Sequence, residues 1–460
     1  MKNNRKTNQF NKKAELKLKN NIPLDYVYTF ILNLNMANSI WVLYLAYCGM
    51  SLMQIGLLEG VYHAAGILFE IPSGAIADLL GRRKSMLAGR ILMTISCIIM
   101  LCAHSFSLFA LGFLLQALSA NFNSGSEEAL VYDSMVLLGV EDSYVRVSSR
   151  LNLIIEVSQA IATVAGGVLA EYSYVWCYGA CIVITLLSLI PALFMTEPPV
   201  ADLRKNTNEA ETILPCNTVL AADAQTEHLK NASTPMVCST ASVHDASASK
   251  TSVMDTVKYH FRTSFSILKS DRRILHIIGY YSGIFALYTL LFFYSQQYFY
   301  EMGLNKIQIS LIMLLSGVFS CLGALASDKL YHPAKDSGRL AFSVRIIAIV
   351  IAVCVGCFVL DNLIVSITAF TIAGFLNSVL YPIQSDSLNV LIPSAQRATL
   401  ISINSMFFSV AMILIFPVAG AFADTLGLTA VFGGLGIMGL ALIQLYHFLF
   451  KSQFLNPSER

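Results

Sequence analysis

The sequence predicts an all-α membrane protein with twelve transmembrane helices arranged as two six-helix bundles. Three observations carry this expectation. Hydrophobic residues fill 56% of the 460 positions and charged residues only 13%, against about a quarter charged in a soluble domain. A chain this long with so few charges would coat a soluble globule with apolar surface, and the mean hydropathy of +0.64 agrees. The apolar residues also fall in twelve continuous runs, each near the ~20 residues that a helix needs to cross a bilayer.

In the first half the runs cover 25–47, 53–76, 85–104, 107–132, 149–170 and 173–195. In the second half they cover 274–300, 305–327, 340–360, 363–389, 398–422 and 427–450. Helix is the element that lipid demands, because every backbone polar group must be satisfied internally. The short alternating segments of a membrane β-barrel do not occur in the pattern. Residues 1–24 form a basic leading segment, and residues 451–460 a short tail. Residues 196–270 interrupt the apolar pattern with Ser, Thr, Ala and Asn and read as a flexible linker between bundles 25–195 and 271–450. Within it, Val253–Leu268 alternates apolar and basic residues and fits an interfacial helix.

Orientation follows from Lys and Arg. Seven basic residues precede the first run, and Arg82, Arg83, Lys84, Arg146, Lys329, Lys335, Arg339 and Arg397 fall in connections on that same side. The linker and the tail add more, while Lys306 alone falls in a connection on the opposite side. Both termini are therefore expected to be cytoplasmic, in a multi-pass protein of the inner (cytoplasmic) membrane.

Composition also excludes classes. A net charge of +2 offers no basic face for nucleic acid. Eight of the ten cysteines lie in or at the ends of apolar runs and read as packing residues. The sequence holds no paired-Asp metal motif, His cluster, GxSxG or phosphate-binding Gly-rich loop with a lysine. The expectation is no enzyme, no cofactor and no metal, with an ion or substrate gradient as the energy source.

The connection between the second and third runs reads Gly74–Ala–Ile–Ala–Asp78–Leu–Leu–Gly81–Arg82–Arg83–Lys84. It resembles the signature loop of the major facilitator superfamily, G-x-x-x-D-x-x-G-R-[RK]. The six-plus-six layout agrees, and Gly323–Ala–Leu–Ala–Ser–Asp328–Lys329 repeats the loop weakly in the second half. Gly125–Ser–Glu–Glu–Ala–Leu–Val–Tyr–Asp133–Ser134 and Arg397–Ala–Thr399 look like features of bacterial drug-efflux-type members. The resemblance implies the major facilitator fold. It also implies that Asp78 faces the N-terminus of the eleventh helix near Ala398 and Thr399, and that Arg82 pairs with Asp133. These contacts would latch the bundles together in the outward-facing state. The sequence departs from such members in two places: no Arg or Lys lies in 107–132, and Gly166–Gly167 lacks the following Pro of many antiporters.

An ionisable group inside a span is costly and invites a functional reading. Glu59 and His63 lie one turn apart on the second span, and Glu156 lies in the fifth. One of these acids is expected to exchange a proton, with His63 tuning it. Glu70 is expected to have a structural or gating role, and Glu127 and Glu128 to lie close to the cytoplasmic surface. Spans one and seven line the central cavity in the resembled family, which makes Asn35, Tyr281 and Tyr288 candidates to contact substrate. The function expected is a secondary active transporter working by alternating access. It would carry out proton-coupled efflux of amphipathic or drug-like compounds as a monomer in lipid, with a small-molecule substrate and a proton or other ion gradient as partners. The alternatives are uptake of a small nutrient, or a non-transporting sensor or partner protein.

Overall fold

The computed structural model describes residues 16–198, 269, 272–331, 337–391 and 397–454. The basic leading segment up to 15, the linker from 199 to 268 with its expected interfacial helix, and the end of the tail lie outside the described residues. The first bundle contains α1 (Asn21–Leu32), α2 (Trp41–Tyr47), α3 (Leu52–Leu80), α4 (Arg82–Cys102), α5 (Phe106–Asn123), α6 (Ser126–Leu137), α7 (Tyr144–Tyr172) and α8 (Tyr174–Phe194). The second contains α9 (Arg272–Glu301), α10 (Lys306–Tyr331), α11 (Ser337–Gly356), α12 (Leu363–Leu391), α13 (Arg397–Leu426) and α14 (Leu428–Phe454).

Among the described residues eleven helical segments are long and apolar enough to cross a bilayer, with α5 and α6 counted as one. Gly125, at φ +68°, separates those two pieces. The first crossing corrects the expectation of a continuous helix over 25–47. It is made in two pieces, α1 and α2, with 33–40 unwound between them. Asparagine side chains explain the break, because they compete with the backbone for its own hydrogen bonds. Asn33 Nδ2 donates to the Thr29 carbonyl at 2.8 Å, and Asn35 Oδ1 accepts from the Ala37 amide at 3.2 Å.

The outward faces suit lipid. Leu153, Leu325, Ile364 and Phe448 remain 65–82% exposed. Inside the second bundle Tyr298, Phe358 and Phe432 form one aromatic knot, with ring centroids 4.9 Å apart from Tyr298 to Phe358 and from Phe358 to Phe432. The Tyr298 hydroxyl meets Ser366 Oγ at 3.0 Å, which satisfies its polar end in a buried place.

Two helices begin the same way. Gly49 (φ +84°) and Gly303 (φ +89°) turn the chain, and a reciprocal cap follows two residues later. Ser51 Oγ accepts from the Gln54 amide at 3.2 Å while Gln54 Oε1 accepts from the Ser51 amide at 3.0 Å. Asn305 and Gln308 make the same exchange at 2.8 and 3.0 Å. Each box satisfies two of the backbone N–H groups left free at a helix start.

Helix α10 offers a contrast between two glycines. A Cβ on Gly323 would lie 2.1 Å from the Phe375 carbonyl oxygen of α12, whereas a Cβ on Gly317 would meet nothing within 4 Å. Overpacking a tight helix contact costs about 1–3 kcal/mol. Gly323→Leu is therefore expected to lower the unfolding temperature in detergent by several degrees, and Gly317→Leu to leave it unchanged.

Candidate functional site

The unwound segment 33–40 is held by the two helices behind it. Its backbone runs so close to α7 that a Cβ on Gly166 would sit 1.9 Å from the Met36 carbonyl oxygen. Ser39 Oγ donates to the Thr163 carbonyl at 3.2 Å, and Cys177 Sγ lies 3.4 Å from the Met36 carbonyl. Irregular backbone at membrane depth is tolerated where protein or a water-filled cavity satisfies it, and broken helices of this kind border binding sites in transporters.

Here the break borders a cavity of about 190 Å³ lined by Asn35, Asn38, Trp41, Glu59, Gln116 and Phe293, among others. Trp41 holds its rings together, with Phe113 edge-on at 5.5 Å and Phe293 edge-on at 5.2 Å. Phe293 comes from α9, so both bundles contribute.

Glu59 and His63 stand one turn apart on α3, with Glu59 Oε1 3.5 Å from His63 Nε2. The other ring nitrogen of His63 lies 3.1 Å from Ser409 Oγ on α13. This pair thus joins the first cavity to the seam between the bundles. Below it a second cavity of about 410 Å³ extends toward the face that carries Gly74; Glu70 and Ser405 line it. Ser402 Oγ donates to Glu70 Oε1 at 3.3 Å across the same seam.

The seam has two antiparallel helix pairs, α3 with α13 and α7 with α10. In each, contacts step down one helix as they step up the other. At the outer end of the first pair, Asp424 accepts from the Leu52 and Met53 amides at 2.8 and 3.0 Å. A Cβ on Gly56 would lie 2.7 Å from both the Phe416 oxygen and Pro417 Cα. In the second pair, Glu171 Oε2 accepts from the Lys306 amide at 2.8 Å, and a Cβ on Gly167 would lie 2.1 Å from Ser310 Oγ. Each carboxylate closes one helix and caps the start of a helix in the other bundle, where the helix dipole favours negative charge. The Tyr294 hydroxyl sits 3.0 Å from both the Leu52 and the Phe416 carbonyls and reinforces the first pair. The face bearing these connections is closed.

At the opposite, basic face the turn from α3 to α4 is the single residue Gly81, at φ +96°, a conformation that favours glycine. Glu197 accepts from the Arg82 and Arg83 amides, each at 2.8 Å, and so caps α4. Arg82 Nη1 donates to the Ala129 carbonyl at 2.8 Å and to Asp133 Oδ2. Arg83 Nε donates to the Ala192 carbonyl at 3.2 Å. The side chains of Asp78, Ala398 and Thr399 lie outside the described residues, and so does the contact expected between them.

The remaining candidates are spread more widely. Glu156 is exposed and accepts from Cys321 Sγ at 3.4 Å, on the seam between α7 and α10. Asn35 lines the first cavity. Tyr281 is buried among Tyr280 and Phe285, and the Tyr288 hydroxyl lies near the side chains of Ser316 and Ser320 around Gly374. Those two tyrosines line neither cavity described above.

The structure also brings together a polar cluster that sequence reasoning missed. Asp25 is 1% exposed, with both carboxylate oxygens lacking a hydrogen-bond partner among the described residues. Glu127 is half-buried beside it and accepts from Thr29 Oγ1 at 2.7 Å and from Asn123 Nδ2 at 2.8 Å. Arg90 is buried and donates to Ser188 Oγ at 2.9 Å. All three fall near the expected ends of their spans, where a charge ordinarily reads as surface. A hint lay in the polar spacing Asn21, Asp25, Thr29, which places three polar groups on one face of α1.

Residues 27–389 match the family model described as Major Facilitator Superfamily. The chain is 23% identical over 415 residues to an uncharacterized MFS-type transporter, YxaM, of Bacillus subtilis (strain 168), covering 88% of this chain and 90% of that one. Among solved structures it resembles the nucleoside transporter NupG, with a TM-score of 0.69 and 12% identity over 95% of this chain and 99% of the other. It also resembles a D-xylose-proton symporter, with a TM-score of 0.62 and 13% identity over 97% and 98% of the two chains. A third likeness is to a bacterial homologue of the iron transporter ferroportin in an inward-facing state, with a TM-score of 0.60 and 15% identity over 96% and 98%. At these identities the likeness is one of fold.

The two carboxylate caps generate a prediction. Losing a helix cap costs about 1 kcal/mol, so losing both shifts a two-state equilibrium roughly thirtyfold if the costs add. In a cysteine-free background carrying Ser310→Cys, a water-soluble maleimide should label position 310 several-fold faster once Glu171→Ala and Asp424→Ala are combined. An unchanged rate would show that the caps do not hold this face shut.

Proposed function

Because the chain belongs to the major facilitator superfamily, we propose that this membrane transporter exports small amphipathic, drug-like compounds across the cytoplasmic membrane in exchange for protons. The observation that supports this reading most is the placement of Glu59 and His63. They lie between an aromatic cavity and the seam along which two bundles would rock.

The mechanism follows from that placement. The basic face is the cytoplasmic one by the distribution of Lys and Arg. The closed opposite face then makes this the inward-facing half of an alternating-access cycle. Substrate enters past Glu70 and reaches the cavity beside Glu59. A protonated His63 donates through both ring nitrogens, to Glu59 and to Ser409, and so ties α3 to α13. A neutral ring donates through one nitrogen only, which loosens that tie. Proton transfer at Glu59 and His63 therefore alters both the charge of the cavity and the grip between bundles. The Asp25 and Glu127 carboxyls lie inside the first bundle, away from this path.

Proteoliposomes with an imposed pH gradient test the proposal. Amphipathic dyes such as ethidium should move against the proton flux. Glu59→Gln should lower gradient-driven accumulation of dye to near background. Glu156→Gln serves as the comparison on the other helix pair. Full gradient-driven transport in both variants would remove the proton role from these acids.

A further inference from the structure

Glu59 has a need that its neighbours leave unmet. The residue is 8% exposed. Its carboxylate accepts no hydrogen bond from any described residue, and its one polar contact, His63 at 3.5 Å, is longer than an ordinary hydrogen bond. A charge withdrawn from water without partners is costly, and such groups are ordinarily paired. The carboxylate borders the 190 Å³ cavity, so the missing partner is one that the cavity can hold.

The rest of the lining specifies that partner. Trp41, Tyr62, Phe113 and Phe293 supply aromatic rings. An aromatic face carries negative potential and attracts a cation, most strongly where water is excluded. Asn38 and Gln116 reach the cavity with side-chain amides that make no hydrogen bond among the described residues, and their carbonyl oxygens can accept from an ammonium. The titratable groups facing it are Glu59 from α3, with Tyr62 beside it and His63 one turn on, Cys97 from α4, and Tyr178 and Cys181 from α8. No Lys or Arg is among the lining residues. Arg90 lies about 10 Å farther along α4 than Cys97 by helical rise and donates to Ser188. Glu59 is the one acidic side chain among the lining residues, and no fixed positive charge stands beside it there.

We infer that this cavity binds a small organic monocation, an amine or quaternary ammonium bearing aromatic or short alkyl groups, with its charge against Glu59. The inference rests on the transport reading above and narrows it. Anionic solutes lack a counter-charge in the cavity. A bare metal ion lacks ligands, since no group of three His, Cys, Asp or Glu among the described residues could hold one. One carboxylate then holds either the substrate cation or a proton, and this competition couples their opposite movements.

The protein carries its own reporter. It has two tryptophans, Trp41 in the cavity wall and Trp176, which is 68% exposed. In the full chain carrying Trp176→Phe, purified in detergent, Trp41 emission is titrated with three probes of similar shape: phenyltrimethylammonium, neutral 2-phenyl-2-propanol and benzenesulfonate. The cation should give a saturable change, with affinity at least about tenfold above the neutral alcohol, and the sulfonate should give none. Glu59→Gln should erase the preference for the cation, while Glu59→Asp, which keeps the charge, should retain it. Equal affinity for cation and alcohol, an unchanged preference in Glu59→Gln, or no saturable response to the cation would each overturn the assignment. Gradient-driven transport of dye by the same protein in proteoliposomes in that event would leave the transport reading standing without the charge rule.

Discussion

Two close antiparallel helix pairs across the seam between bundles, α3 with α13 and α7 with α10, are the constraint on which the rest of the structure depends. Lipid gives helices little hydrophobic reason to associate, so close packing and hydrogen bonds must do it. Here both act at the same places. Gly56 and Gly167 remove the side chains that would keep the helices apart. Asp424 and Glu171 then cap the opposing helix starts. The two pairs use one design twice. A Gly followed four residues later by an acid ends α7 and α13, and a Gly followed by a Ser- or Asn-headed capping box begins α3 and α10. Each half of the chain thus supplies one acid and one receiving helix start, and each half grips the other through the same chemistry.

Closure at that face gives the broken first crossing its place. Residues 33–40 run as turns instead of a continuous helix, and α7 and α8 supply side-chain and backbone partners for Met36 and Ser39. Gly166 is what lets α7 approach the Met36 carbonyl. The same unwinding brings Asn35 and Asn38 to the wall of the cavity that Glu59 also lines. The packing that holds the bundles and the polarity of the cavity are therefore two results of one arrangement.

Much of this was legible in the sequence. Long apolar runs separated by short turns read as helices because lipid leaves the backbone no other economical choice. The spacing of Glu59 and His63 read as one helix face, which is where they stand. The break at 33–40 escaped because Asn33, Asn35 and Asn38 are interspersed with Leu34, Met36 and Ala37, so mean hydropathy stays high through the unwound stretch. The cluster of Asp25, Glu127 and Arg90 escaped for a different reason. Burial at a helix end depends on which neighbours cover it, and no single segment carries that information. The same limit applies to Glu197, a linker residue by composition that caps α4. Tyr281 and Tyr288 show the reverse case: their spacing gives a shared helix face, while tertiary packing decides what that face meets.

Alternating access requires that the bundles rock about a fixed middle, so that one face opens as the other closes. Double electron–electron resonance between spin labels placed on the two bundles reads this directly, with one label pair at the Tyr172 and Met302 ends and another at the Tyr132 and Leu391 ends. Substrate or a change of pH should lengthen the first distance while shortening the second. Two distances that stay fixed, or that lengthen and shorten together, would contradict it.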